Sequence, residues 1–526
     1  MDKVETTAGR SRALAAQAAA LTAAGRHDEA EACRRQALLL LEARTSALLA
    51  TQLWQTDAFA EAEVQLERAI AFADDDGWRI RQAVFLPMLA QSRPQIEELR
   101  RRLRHRLQTL LDRQLAVADP VEQIGWTCFL LAYHGEHDNR QLHSLFHAVC
   151  SKAAPQLDWV ATHCAQPRLP GRPRIGFVSW YFSEHTISRL FLGLIERLDG
   201  DFLDITAFAF AGADEALRRA DLTGKRVVIL PTDLAGAREG IAAARLDVLV
   251  YLDLGMDPFT LFLAHARLAP VQGVLWGHPD TTGIPAIDVF LSCDAMEPEN
   301  SQSHYGERLV RLPGPGTWYP RPHYGEATPS PATYGLPEGG LLYLCPQTPY
   351  KFHPDFDPIL RRILEANPRA HLVLTAGWAG SLMESLVRRI AGAAPELAAR
   401  IHVLGAMDRQ AFLGLLQLCD VVLDPPHYSG GNTSLEALAL GAPVVTWPGH
   451  FMRARHTYGF YRLMGLLDCV AVDLDAYADL AIALGADQPR RLQLRQAIRE
   501  RSAVLFESEL TVRAMEAWLA SVVGGA

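Results

Sequence analysis

Two kinds of hydrophobic pattern divide the chain. Up to about residue 165, apolar side chains recur at spacings of three and four among Ala, Leu, Arg and Glu, which predicts an all-helical region. From Arg174, short continuous apolar runs (RIGFVS, DITAFAF, RVVILP, LDVLVYLD, VQGVLW, AIDVFLSC) alternate with helical segments. Continuous rather than alternating runs fit strands buried on both faces, hence a parallel sheet covered by helices. A Pro/Gly-rich stretch, Pro313 to Gly340, reads as a linker. The alternation then restarts (LLYLCP, HLVLTAG, RIHVLG, VVLD, VVTW), and Glu507 to Val522 returns to helix. The predicted fold class is α/β: two Rossmann-like doubly wound parallel-sheet domains behind an all-α region, divided at 1–165, 166–325 and 326–526. Two such units bind ligands beyond the carboxyl ends of their strands, so the active site is expected in the cleft between them.

Inside the helical region a weak repeat is visible. Ala23 to Leu38 recurs as Trp54 to Ile70, with Glu29-Ala30 mapping onto Glu61-Ala62, close to the tetratricopeptide period. Two degenerate units fall short of a self-supporting stack, so the region is expected to lean on the next domain. The basic run Arg100 to Arg106 reads as a solvated helix face, with a docking surface for an acidic partner as the second reading.

Charge and composition narrow the function classes. A net charge of -9 argues against a general nucleic-acid or membrane-surface role. No apolar run approaches the ~20 residues of a membrane span, and no basic-then-apolar leader opens the chain, so a cytoplasmic protein is expected. The eight cysteines form no CxxC pair and read as reduced, buried thiols.

The segment DPPHYSGGNTSLEALALGAPVVTWPG, Asp424 to Gly449, is a strand end, a Gly-rich polar loop, a short helix and a second strand. Such a loop delivers amides and hydroxyls to an anion at a helix N-terminus. Gly430 and Gly431 allow close backbone approach, and Asn432, Thr433 and Ser434 are good helix-start residues. Glu436 reads either as the capping-box partner of Thr433 or as a ligand for ribose hydroxyls. In Cys345 to Phe356 (CPQTPYKFHPDF), Gln347 and Lys351 follow a strand end, where a lysine meets phosphate as a point charge or simply sits solvated. In Arg174 to Phe191, His185 stands at a loop-to-helix transition, as general base, sugar contact or helix cap. In Trp276 to Asp288, Gly277, His278 and Thr281 sit in a polar turn that would line the same cleft, or serve only as a turn. Arg267, ahead of it, could reach an anion or a backbone carbonyl.

Asp355-Phe-Asp357 and Asp473-Leu-Asp475 have DxD spacing, but both sit where a helix begins, so capping is the favoured reading over metal binding. There is no HExxH, G-x-S-x-G or Walker A motif. A site without metal must neutralise a leaving diphosphate with Lys, Arg and helix amides, which Lys351 and the Asn432 helix start would supply.

In combination, RIGFVSxxFxxH, LAPVQxxxWGHPxTTG, the Lys351 loop and DPPHYSGGNTSLEALALGAPVVTWPG resemble the catalytic half of the O-linked N-acetylglucosamine transferase family, with its SPINDLY-like members, over about Arg174 to at least Phe451. The helical region stands where that family carries tetratricopeptide repeats. The resemblance implies a two-domain GT-B fold and a metal-independent, inverting transfer from a nucleotide sugar to protein Ser or Thr hydroxyls, with the nucleotide sugar a substrate and no cofactor. It implies that Lys351 holds the diphosphate, Asn432 and Thr433 the phosphate, and Glu436 the ribose. Arg409 would lie near the base, His185 would match an active-site histidine, Gly277 and Thr281 would line the sugar pocket, and Arg267 would match an arginine of unassigned role. The chain departs from the family's animal members at Tyr181, where they have an Asp, at Gly431 and Phe412, where they have His, and in a Lys351 loop one residue shorter. UDP-N-acetylglucosamine is the first-choice donor, with GDP-fucose or UDP-glucose, and Asn, small-molecule or glycan acceptors, as alternatives. A catalytically impaired repeat-containing scaffold is the reading of a different class.

Overall fold

The computed structural model describes residues 6–212, 217, 220–325, 329–377 and 380–524. The first sheet comprises β1 (Arg174–Val178), β2 (Asp204–Ala209), β3 (Arg226–Ile229), β4 (Val248–Tyr251), β5 (Val271–Leu275), β6 (Val289–Cys293) and β7 (Arg308–Leu312). They lie in the order β3-β2-β1-β4-β5-β6-β7, every pair parallel. The second sheet, β8 (Leu341–Cys345), β9 (Ala370–Thr375), β10 (Ile401–Leu404), β11 (Val421–Leu423) and β12 (Val444–Val445), runs β10-β9-β8-β11-β12, again parallel. Both sheets reverse direction at the corresponding place, between β1 and β4 and between β8 and β11. Loops leaving the strands there splay apart and open a crevice. The fully buried β4 and β8 account for the continuous apolar runs.

The N-terminal region folds as helices Thr7–Ala23, His27–Gln55, Phe59–Ala73, Asp76–Ala83, Arg93–Leu111 and Arg140–Ala153, with short turns between. The repeat-equivalent Ala30 and Ala62 are both fully buried, and small residues let the helices approach closely around Leu40 and Leu66. The region is fastened to both sheet domains. Thr127 Oγ1 donates to Gly255 O at 2.8 Å, and Asn139 Nδ2 donates to Asp280 at 2.6 Å. Buried Arg453 pairs with Asp280 at 3.3 Å and donates to Gly135 O and His137 O at 3.0 and 2.6 Å, so one guanidinium joins all three parts of the chain.

Three expectations change here. In the basic run, Arg100 is buried against Asn139 at 2.8 Å, while Arg102 and Arg106 pair with Glu63, so these three charges are spent inside the helical region rather than on a solvated face. The Pro313–Gly340 stretch buries Trp318 and Tyr319 and anchors Arg321 on Ser502, so apolar and polar packing fix much of what read as a linker. The last helix, Glu509–Gly524, crosses back to the first domain: Glu516 accepts from Asp199 N–H at 2.9 Å and Thr511 bonds Pro313 O at 3.3 Å. Among the described residues no helix is long and apolar enough to cross a membrane. All eight cysteines are free, six of them buried.

Candidate active site

Beyond β11, Asp424 organises the Gly-rich loop. Its buried carboxylate accepts the Gly430 N–H at 2.7 Å, the Ser429 hydroxyl at 2.6 Å and the Thr446 hydroxyl at 2.7 Å. A Cβ at Gly430 would meet the Thr433 and Ser434 hydroxyls at 2.6 Å, so any larger residue there would have to displace both side chains. The helix Asn432–Ala439 starts behind it with Gly431 as N-cap and no side chain capping it. The capping box is therefore not made. Thr433 Oγ1 instead accepts from Gln347 Nε2 at 2.6 Å, and Glu436 accepts from Arg409 Nε at 3.2 Å and Tyr319 at 3.3 Å. An N-terminus that no side chain satisfies keeps its first-turn amides for an anion.

Lys351 faces this loop from beyond β8. Its Nζ donates to Gln347 Oε1 at 2.8 Å and Ser429 O at 3.3 Å and lies 4.8 Å from the centre of the Tyr428 ring. Surrounding protein pushes this ammonium down to about 8, with Asp424 acting in the opposite direction. The charge is held by neutral acceptors alone, which suits it to receive a phosphate.

The opposite wall comes from the first domain. Gly277 lies so close to Leu252 O (2.3 Å from a built Cβ) that only glycine fits. His185 is the N-cap of Thr186–Arg197, its Nδ1 accepting the Ile187 N–H at 3.3 Å. Burial, aided by Arg189, holds the ring down at about 4, so at neutral pH its one proton sits on Nε2. His185 is thus a cap and an Nε2–H donor together. Tyr181 stacks on it at 4.3 Å. Asn432 Nδ2 donates to Thr186 O at 3.2 Å, crossing from one domain to the other.

These walls enclose a cavity of about 240 Å³. Of the sequence candidates, His185, Gly277, Gln347, Lys351, Gly431, Asn432 and Thr433 line it. Gly430 and Ser434 lie one layer beneath, Ser434 against Thr457 at 2.7 Å. Glu436 and Arg409 form a pair behind the helix. His278 is buried against Phe129, 5.1 Å between ring centres, and Thr281 is bonded to Glu307 at 2.7 Å; neither lines the cavity. Arg267 is the clear departure. It precedes β5 at the amino end of the sheet, ion-paired with Asp288, whereas the cavity lies beyond the carboxyl ends. Its charge is spent holding β5 to β6.

Three contributors were missed. Phe129 and Tyr133 reach the cavity from the helical region, with Tyr133 stacked on Tyr428 at 4.3 Å. His456 is buried in the wall with no hydrogen-bond partner on either ring nitrogen; burial and the Lys351 ammonium hold it down at about 3. The motif RARHTYGF carried no local signal for it beyond a histidine at a helix start. No carboxylate lines the cavity among the described residues.

A family model described as Glycosyl transferase family 41 matches residues 326–515. A probable UDP-N-acetylglucosamine–peptide N-acetylglucosaminyltransferase SPINDLY of Petunia hybrida is 29% identical over 266 residues, covering 49% of this chain and 28% of its own. A UDP-glucose:protein N-beta-glucosyltransferase of Actinobacillus pleuropneumoniae is 26% identical over 256 residues, covering 48% and 40%. The structure of a lysine-to-methionine mutant of the Thermobaculum terrenum O-GlcNAc transferase superposes with a TM-score of 0.71 at 25% identity, covering 99% of both chains. The chain is thus similar to the O-GlcNAc transferase/SPINDLY-like family, in sequence over residues 326–515 and in fold over nearly its whole length. The GT-B arrangement, with a helical region ahead of two doubly wound domains, is that family's fold. The chain spans only 28% to 37% of the length of its plant relatives.

Proposed function

We propose that the chain transfers a sugar, N-acetylglucosamine from UDP-N-acetylglucosamine first, to Ser or Thr hydroxyls of proteins, with inversion and without a metal at the diphosphate. The observation that carries this reading is the Lys351 ammonium facing the uncapped Asn432–Ala439 helix start across one cavity. Positive charge and unsatisfied amides converge where a leaving diphosphate gathers negative charge. The acceptor oxygen forms a bond to the anomeric carbon from the face opposite the diphosphate. The bond from that carbon to the phosphate oxygen breaks, and its electron pair stays on the diphosphate. The hydroxyl proton leaves to a base. His456, held at about 3, is too weak a base to take it and stays a neutral wall of the site; His185, its Nδ1 spent on the cap, orients through Nε2–H.

The plant relatives' names supply the peptide acceptor and the donor sugar, and the Actinobacillus relative's name supplies UDP-glucose as the rival donor. A panel of UDP-N-acetylglucosamine, UDP-glucose and GDP-fucose, incubated with the protein and candidate acceptors and followed by intact mass, tests the reading. A mass gain of N-acetylhexosamine supports it. A hexose or deoxyhexose gain replaces the donor, and silence with every donor sinks the transferase reading.

A further inference from the structure

Behind the Lys351 and Ser429 loops lies a second polar chamber of about 200 Å³, walled by Arg93, His134, Glu136, His353, Asp355 and His427. It shares no lining residue with the sugar-nucleotide cavity. Asp355 stands at the start of the helix Phe356–Glu365, yet its side chain makes no cap bond. Its carboxylate turns into the chamber, 2.9 Å from His427 Nε2 and 3.2 Å from His353 Nδ1. The DxD spacing is thus not a pair of caps: Asp357 is buried in a separate pair with Arg389 at 2.9 Å. One nitrogen each of His353 and His427 and one oxygen of Asp355 lie within 4.8 Å of one another.

We propose that His353, Asp355 and His427 form a binding site for a divalent transition metal of the Zn2+ class, with Glu136 as its outer carboxylate. Two imidazoles and a carboxylate are the ligand types of borderline metals, and three ligands leave a position for water in the chamber. The outer shell is already built. His427 Nδ1 is 2.9 Å from Glu136 Oε1, while Glu136 Oε2 accepts the His450 N–H at 2.6 Å. A carboxylate fixed on the far nitrogen of an imidazole orients the near nitrogen toward a metal. His427 also holds φ of 72°, unusual for a residue with a Cβ, as at positions where the surroundings dictate a side chain's direction. Arg93, an exposed arm, bonds both Asp355 oxygens, Nε to Oδ1 and Nη2 to Oδ2, so a metal on Oδ2 would displace Nη2 and leave Nε on Oδ1.

The metal would be structural. His353 sits two residues after Lys351, His427 two before Ser429, and Glu136 belongs to the helical region. One ion would tie both donor-side loops to that region.

The full chain, stripped with chelator and reloaded with Zn2+, should retain about one metal per chain by elemental analysis after gel filtration. Co2+ in its place should give the visible bands of a four-coordinate ion. The double variant His353→Ala/His427→Ala should retain none. Glu136→Gln keeps all three ligands, so it guards against a folding artefact; it should bind Zn2+ about tenfold to a hundredfold more weakly. The site is overturned if the loaded protein carries no stoichiometric metal, if the double variant keeps it, or if Glu136→Gln binds as tightly as the parent. In those cases the cluster is an ionic clip with a protonated His427 between two carboxylates.

Discussion

Each sheet places a buried aspartate just past the strand that follows its reversal, Asp253 beyond β4 and Asp424 beyond β11. The two positions are topologically the same and chemically unlike. Asp253 bonds the Ser179 hydroxyl at 2.7 Å through one oxygen, and its other oxygen has no partner. Burial, with Asp257 adding to it, pushes its carboxyl well above the usual range, which favours the protonated form. Burial also raises Asp424, but Ser429, the Gly430 amide and Thr446 oppose it. One fold element thus supplies a buried acid bonded through a single oxygen on the first-domain side and a loop organiser on the other. The positive charge follows the same division: Lys351 and the open helix start belong to the second domain, while the first contributes Gly277, Trp276 and the neutral His185.

The largest expected effect tests that division. Lys351→Ala should lower the rate of sugar transfer by ~10²–10³ with the protein still folded, measured by steady-state product formation and far-ultraviolet circular dichroism. Normal turnover would remove Lys351 from the site.

Second in size is Asp424→Asn. The amide replaces an acceptor oxygen among three donors, so at least one buried donor loses its partner, at a cost of about 1–3 kcal/mol in denaturant unfolding. Donor binding should weaken with it, because the Gly430 turn sets the helix start. Full stability would mean that the loop holds its shape without the aspartate.

The strands, their parallel sense and the two loops were legible because continuous apolar runs and glycine-rich strand ends have local causes. What was not legible depends on partners distant in the chain. Glu436 fits a capping box by spacing, yet Arg409 and Tyr319 draw it away from the helix start. Arg267 carries a charge ahead of a motif, but only the register of β5 and β6 shows Asp288 taking it. Phe129, Tyr133 and His456 reach the cavity through packing between separate parts of the chain, which no periodicity encodes.

A smaller effect comes from pH. Lys351 sits at about 8, below its ordinary value, and diphosphate binding needs the charged form. Affinity for UDP should be full below pH 8 and fall as pH rises through it, by about tenfold per unit well above that point. Isothermal titration from pH 7 to 9.5 reads this directly, and Lys351→Ala should flatten the profile. A profile that stays level in the parent protein would place the phosphate elsewhere.

Asp253→Asn should do least to sugar transfer, since Asp253 does not line the cavity, and completes the comparison. A protonated carboxyl and an amide have nearly the same shape, and the Ser179 hydroxyl keeps a carbonyl to donate to, so the cost below pH 4, where the unfolded chain is protonated too, should stay under about 1 kcal/mol. Its effect should show in the pH dependence instead. A carboxyl raised by folding holds its proton while the unfolded chain has already lost it, so stability falls as pH rises above the unfolded value near 3.8. Asp257, raised to about 6, contributes in the same direction up to that pH. Removing Asp253 should therefore make the stability of the variant decline less between pH 4 and 7 than that of the parent, by up to ~1.4 kcal/mol per pH unit. Parallel curves would show that Asp253 is ionised in the folded chain, and its contrast with Asp424 would then rest on hydrogen bonding alone.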